Sequence, residues 1–277
     1  MPRRPGVGAN GQERNGRRVA QLFRQARGLL DVRCCNLEAI LAEDDIDLET
    51  SKVEHPGHAG CLVRTSGSSG IMVPSDQVGG RRRFTIAHEL GHFHIPSHKD
   101  VNGWCTDSDL RAWEGGPQLL EWEANDFASE LLMPARLFGE DVDARAISVA
   151  SAKDLASAAW YDVSILAAAL RMVHTTRQAA ALVVSANGRV SWTARSSGFK
   201  LYLPGKTDRL HSDTLASAGY RSDEFSDAPL AVPLASWLAH ARQMRGELLE
   251  STYRIDRLEQ VVSLLWHVDG DGEASDG

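Results

Sequence analysis

The chain has 277 residues, 43% of them apolar and 24% charged, which is ordinary globular composition and enough material for two modest domains. A formal charge of -7 excludes a whole-chain polyanion binder. No uninterrupted apolar run approaches the ~18 residues of a bilayer span, so contact with a membrane is not expected.

Residues 1–17 are rich in Gly, Arg and Pro and lack apolar periodicity, the signature of a flexible basic arm. No apolar segment follows those arginines, so no secretory leader is expected. Cys34, Cys35, Cys61 and Cys105 form no CxxC pair and a poor disulfide framework, which points to reduced thiols and a cytoplasmic protein.

Helical spacing predicts a helix over Val19–Leu30 and a shorter one near Leu37–Ala42. Gly60–Arg64 and Gly70–Pro74 read as strands joined by a turn at Ser66–Ser69. RRRFTIAHELGHFHIP then reads as a helix that Pro96 ends. Residues 97–118 read as a loop-rich connection, and QLLEWEANDFASELLMPARLF as a helix broken at Pro134. Two short helices are expected around Tyr161-Asp162. Beyond them AALVVSANGRVSW predicts a hairpin turning at Asn187-Gly188. Phe199–Leu203 and Leu230–Pro233 are expected to add strands, and LEQVVSLLWHV to close the chain as strand or short helix. The expected organisation is an arm (1–17), a helix-rich core (18–145), a helical, helix-turn-helix-like extension (146–178), a small mixed α/β domain (179–268) and an acidic tail (269–277). The fold class is therefore α+β.

The informative chemistry lies in HELGH. His88 and His92 stand four residues apart, one helical turn, so both imidazoles share a face. Two nitrogens so placed can reach one Zn²⁺ at about 2.0–2.1 Å. Glu89 is rotated roughly 100° from His88, where it can act as a base towards a water in the site. Gly91 costs a helix about 1 kcal/mol relative to alanine, which implies that another backbone passes close to it. A catalytic zinc needs a third protein ligand. His94, His98, Cys105, Asp107, Glu121 and Glu123 follow the motif. Glu121 is the best placed: with Ala124, Asn125 and Ala128 it makes a face of mostly small side chains that a second helix can approach closely. Glu123, rotated about 200° from Glu121, reads as a solvated charge. His94 and His98 read as surface or cleft residues, with a hydrogen-bonding role towards the transition state as the alternative. Cys105 reads as a small buried hydrophobe, with zinc coordination that would block the water position as its alternative. Asn125 is placed to orient Glu121 or a histidine from outside the ligand shell.

RRRFTIAHELGHFHIP followed by EWEANDFASELLMP resembles the ImmA/IrrE family of metallopeptidases, over roughly residues 18–175. The resemblance implies a zincin-like, gluzincin-type core with zinc on His88, His92 and Glu121 and Glu89 as catalytic base. Manganese or iron are alternatives for such a ligand set. It also implies a regulatory endopeptidase whose protein substrate is a DNA-binding repressor of the helix-turn-helix, XRE type, controlling mobile-element or stress genes. The alternative is a non-catalytic metal protein that sequesters a transcriptional regulator. The 146–178 segment lacks a basic recognition face, with only Arg171 and Arg177 near its end, so direct nucleic-acid contact is not expected. The C-terminal part departs from the radiation-response members and carries no GAF-like sensor pattern.

Overall fold

The computed structural model describes residues 15–52, 58–106, 119–238 and 245–268. Most of the expected arm, the expected acidic tail, and Asp107, Gly115, Gly116 and Pro117 lie outside these residues. The chain divides into two compact units, one of residues 1–137 with 157–164 and one of 138–156 with 165–277. The segment expected as a helical extension (146–178) is thus shared between the units. Both mix helix and sheet, an α+β protein as expected.

In the first unit α1 (Gly16–Ala26) and α2 (Leu37–Glu43) precede β1 (Ile46–Ser51), β2 (His58–Arg64) and β3 (Ser69–Pro74). After α3 (Gly79–His94) come β4 (Gly103–Thr106) and α4 (Leu119–Leu132). The helix α1 starts at Gly16, so Gly16 and Arg17 belong to it and not to an arm. The sheet order is β1-β3-β2-β4. The expected β2–β3 pair is antiparallel, with Leu62 opposite Ile71. Two strands of this sheet escaped the sequence. β1 runs parallel to β3, and β4 pairs with β2 inside the expected loop.

The helix α3 is buried along Thr85–His92, so it forms the centre of its unit rather than a surface helix with one apolar stripe. It crosses α4 at Gly91, where a Cβ would stand 3.1 Å from the Ala124 Cα and 3.2 Å from the Phe127 Cβ. The packing reason expected for Gly91 is therefore the backbone of α4. The helix α1 comes as close to α4: a Cβ on Gly16 would lie 1.9 Å from the Glu123 carbonyl oxygen. Arg24 of α1, 1% exposed, donates to the Leu131 carbonyl at 2.6 Å and to the Leu29 and Val32 carbonyls. It satisfies one carbonyl that the C-terminus of α4 leaves without an intrahelical donor, and two more in the loop after α1.

In the second unit α5 (Ala135–Asp143) leads in from Leu137, and α6 (Val149–Ala156) and α7 (Ile165–Thr175) are the two short helices expected around Tyr161-Asp162. An antiparallel sheet of order β6-β5-β9-β8-β7 follows, made from β5 (Ala179–Ala186), β6 (Arg189–Arg195), β7 (Leu230–Pro233), β8 (Glu247–Ile255) and β9 (Gln260–His267), with α8 (Leu215–Ser222) between β6 and β7. The β5–β6 turn takes positive φ at Asn187 (51°) and Gly188 (69°), as a two-residue hairpin of this handedness requires. The closing segment is a strand. One expectation fails: Phe199–Leu203 forms no strand. Its apolar residues pack without ladder pairing, Phe199 2% exposed within a core cluster and Leu201 and Leu203 against it.

Candidate metal centre

The two helix-spaced imidazoles lie fully buried on α3, both 0% exposed. Their Nε2 atoms are 3.1 Å apart. Glu121, on the first turn of α4, brings Oε2 to 3.1 Å from His88 Nε2 and 3.3 Å from His92 Nε2. Four donors arranged tetrahedrally at ~2.0–2.1 Å from one centre stand roughly 3.3–3.4 Å apart. The triangle of 3.1, 3.1 and 3.3 Å therefore has the dimensions of one face of a zinc site. The helix crossing at Gly91 creates it, because the small faces of α3 and α4 let a short carboxylate span the gap.

The donor chemistry fits a cation as well. Asn125 Oδ1 lies 2.9 Å from His88 Nδ1. An amide oxygen only accepts, so Nδ1 carries the hydrogen and Nε2 turns a lone pair inward. Asn125 thus orients a histidine, one of the two roles expected for it. Burial by itself raises the Glu121 carboxyl. The two imidazoles beside it outweigh burial and hold it well below the usual carboxylate range, so it stands ionised. Cys105, on the edge strand β4, completes a group with His88, His92 and Glu121 in which all ligand atoms lie within 4.8 Å of one another. Cys105 is thus buried, as expected, and also stands where its alternative role as a ligand would place it. All four cysteines are thiols.

Glu89 is also fully buried. It packs against β2 at Gly60, where a Cβ would come within 2.7 Å of Oε1 and 2.5 Å of the Thr85 methyl. Only a residue without a side chain leaves Glu89 this position, a role the sequence did not signal. Burial, reinforced by the charge of Glu89, pushes the neighbouring Cys61 thiol up to about 11.

Two expectations need correction. Glu123 is 3% exposed, not a solvated charge. Its Oε2 lies 3.0 Å from His98 Nε2, and Oε1 accepts from the Asn15 amide at 2.9 Å. His98 is 0% exposed rather than at the surface, with Nδ1 3.0 Å from His92 Nδ1. His94 is partly buried and faces Asp44 Oδ2 at 2.9 Å. Burial lowers both imidazoles, with Asp44 and Glu123 opposing it. The cause of the His98 placement is local. Pro96 stops α3 and opens a single 3₁₀ turn, Pro96–His98, which swings the His98 ring back beneath His92. Arg64 holds this corner, donating to the His92 carbonyl at 2.7 Å and to the Val101 carbonyl.

Residues 55–173 match the family profile of the IrrE N-terminal-like domain, peptidase family M78. A solved structure with a similar fold is a Mycobacterium tuberculosis transcriptional regulator, at TM-score 0.56 and 12% sequence identity, over 91% of this chain and 76% of that one. No curated protein sequence matches the chain.

Proposed function

We propose that this chain, a member of the ImmA/IrrE peptidase family through residues 55–173, is a zinc-dependent regulatory endopeptidase with a zincin-like core, His88, His92 and Glu121 as metal ligands and Glu89 as catalytic base. The observation that carries this reading is the donor triangle of 3.1–3.3 Å between two imidazole nitrogens and one carboxylate oxygen, beside a buried glutamate that belongs to the same helix.

A divalent ion held there supplies Lewis-acid activation of water and of a scissile carbonyl. The chain's own residues do the rest. Asn125 keeps His88 in the tautomer that ligates. Glu89, one residue along from His88 and held against Gly60, takes the proton from the attacking water and passes it to the leaving amine. Exclusion of bulk water around these buried groups strengthens each electrostatic contact.

The substrate we assign is a protein, a DNA-binding repressor of the helix-turn-helix, XRE type, met in the cytoplasm. No described helix is long and apolar enough to cross a membrane. The test is incubation with purified helix-turn-helix, XRE-type repressors from the same cell, with zinc, with chelator, and with Glu89→Gln. The variant is expected to bind metal as the wild type does and to lose cleavage by about 10²–10⁴-fold, the range of a general base. Equal cleavage by both proteins would refute the assignment.

One observation favours a second reading, a binding protein that sequesters its partner. With Cys105 the cluster has four donors, and a four-donor site is closed to water. Cobalt substitution separates the two. A sulfur-to-cobalt charge-transfer band, lost in Cys105→Ser, together with an intact repressor, supports sequestration; absence of the band supports the peptidase.

A further inference from the structure

Two buried side chains beyond the donor triangle have no assigned role, and they are joined in a line. Glu123 Oε2 lies 3.0 Å from His98 Nε2, and His98 Nδ1 lies 3.0 Å from His92 Nδ1. His98 and His92 are 0% exposed and Glu123 is 3% exposed, so water does not complete these contacts. We propose that Glu123 and His98 are positioning residues that fix the proton of His92 on Nδ1 and so turn its Nε2 lone pair into the metal site.

The direction of the line follows from donor and acceptor chemistry. A carboxylate only accepts. Its Oε1 is occupied by the Asn15 amide, the residue that precedes α1, and a helix N-terminus favours negative charge beside it. Oε2 therefore accepts from His98 Nε2–H. A neutral imidazole has one N–H, so His98 Nδ1 is an acceptor. The contact with His92 Nδ1 then requires the hydrogen on His92. That leaves His92 Nε2 as a bare lone pair, 3.1 Å from the equally bare Nε2 of His88 and 3.3 Å from a carboxylate oxygen. Three acceptors converge with no proton between them, an arrangement that a cation stabilises. The two histidines reach the same tautomer by different routes: His88 through a single amide oxygen, His92 through an imidazole backed by a carboxylate. The carboxylate-backed route also raises the basicity of its ligand.

This inference rests on the metal-site reading proposed above, and the experiment keeps the two apart. Cobalt and zinc affinities are measured by chelator competition for wild type, His88→Ala, His98→Leu, His98→Asn and Glu123→Gln, with thermal unfolding of each metal-free protein as the check on folding. The wild type is expected to bind and His88→Ala to bind far more weakly. His98→Leu is expected to lose about 10–100-fold in affinity, the usual cost of losing an outer-shell partner. His98→Asn restores most of it, because its amide oxygen can take the place of Nδ1.

Glu123→Gln is the sharper variant. With its single oxygen kept on the Asn15 amide, the amide NH₂ faces His98 Nε2 and reverses the line, placing a proton on His92 Nε2. Its affinity should fall as far as in His98→Leu. In the metal-free protein, nitrogen-15 NMR of the His92 ring should show the proton moved from Nδ1 to Nε2, a change that loosened packing does not produce. Wild-type affinity in both His98→Leu and Glu123→Gln overturns the proposal while leaving the metal site standing. A wild type that binds no metal overturns both.

Discussion

Replacing Gly91 by alanine tests the helix crossing on which the donor triangle depends. The new methyl would stand 3.1 Å from the Ala124 Cα, 3.2 Å from the Ala124 carbonyl oxygen and 3.2 Å from the Phe127 Cβ. Two of these neighbours are backbone, so relief requires α3 and α4 to separate by a few tenths of an ångström. Two effects oppose each other in stability. Alanine favours the helix by about 1 kcal/mol, whereas overpacking costs about 1–3 kcal/mol. The net is a loss of roughly 0–2 kcal/mol, with each kcal/mol lowering the melting temperature by about 2–4 °C. Metal affinity has no such compensation. α3 carries the histidines and α4 carries Glu121, so any separation widens the 3.1 and 3.3 Å edges directly, and metal–ligand distances tolerate only about ±0.2 Å. An affinity loss on the order of tenfold is expected, comparable to losing an outer-shell partner. The assay is chelator competition with zinc, paired with thermal unfolding of the metal-free protein. Gly67→Ala serves as control, since nothing lies within 4 Å of a Cβ there. A Gly91→Ala protein that melts higher than wild type and binds zinc as tightly would refute the reasoning.

Gly60→Ala acts on the base instead of the ligands. Its methyl would fall 2.5 Å from the Thr85 side chain and 2.7 Å from Glu89 Oε1, so the carboxylate must move. Cleavage should fall about 10²-fold, as misplacement of a reacting group by ~1 Å does, with zinc content unchanged; joint loss of zinc would place the damage elsewhere. Glu250 offers a pH test in the second unit. It accepts from the Leu215 and Ala216 amides, Trp237 Nε1 and the Ser263 hydroxyl, yet burial outweighs these donors and raises its carboxyl above the unfolded value of 4.5. Above pH 4.5 the folded form therefore keeps a proton that the unfolded form has released, and this contribution to stability declines as pH rises towards the folded value. Glu250→Gln cannot titrate, so the stability difference between wild type and variant should narrow with rising pH in denaturant unfolding followed by tryptophan fluorescence. A difference that stays constant or widens contradicts the raised carboxyl.

What was legible in the chain is what its local periodicity dictates. The spacing of His88 and His92 means a shared face on any α-helix, whatever surrounds it. The small face containing Glu121, Ala124 and Ala128, with Gly91 on the other helix, marked the approach of α3 and α4 before any coordinates, because close helices need small side chains. Asn187-Gly188 gave the hairpin, since few residues accept positive φ at both positions. The strands β1 and β4 were illegible because they take their identity from partners distant in sequence. Length is not the reason, since β7 has four residues and was expected while β8 has nine and was not. Phe199–Leu203 misled because apolar content reports burial, and burial does not require a ladder partner.

Tertiary structure alone decided the fate of Glu123 and His98. By helical angle Glu123 points away from Glu121, and in an isolated helix that means solvent. Here α1 covers that face, with Gly16 seated against the Glu123 carbonyl, and a proline turn carries His98 to the Glu123 carboxylate. Period sets which side chains share a face of one helix; which element comes to bury that face is set by long-range packing. The same division holds for Glu89, whose place in HELGH the sequence defines but whose room beneath Gly60 depends on a strand some thirty residues away.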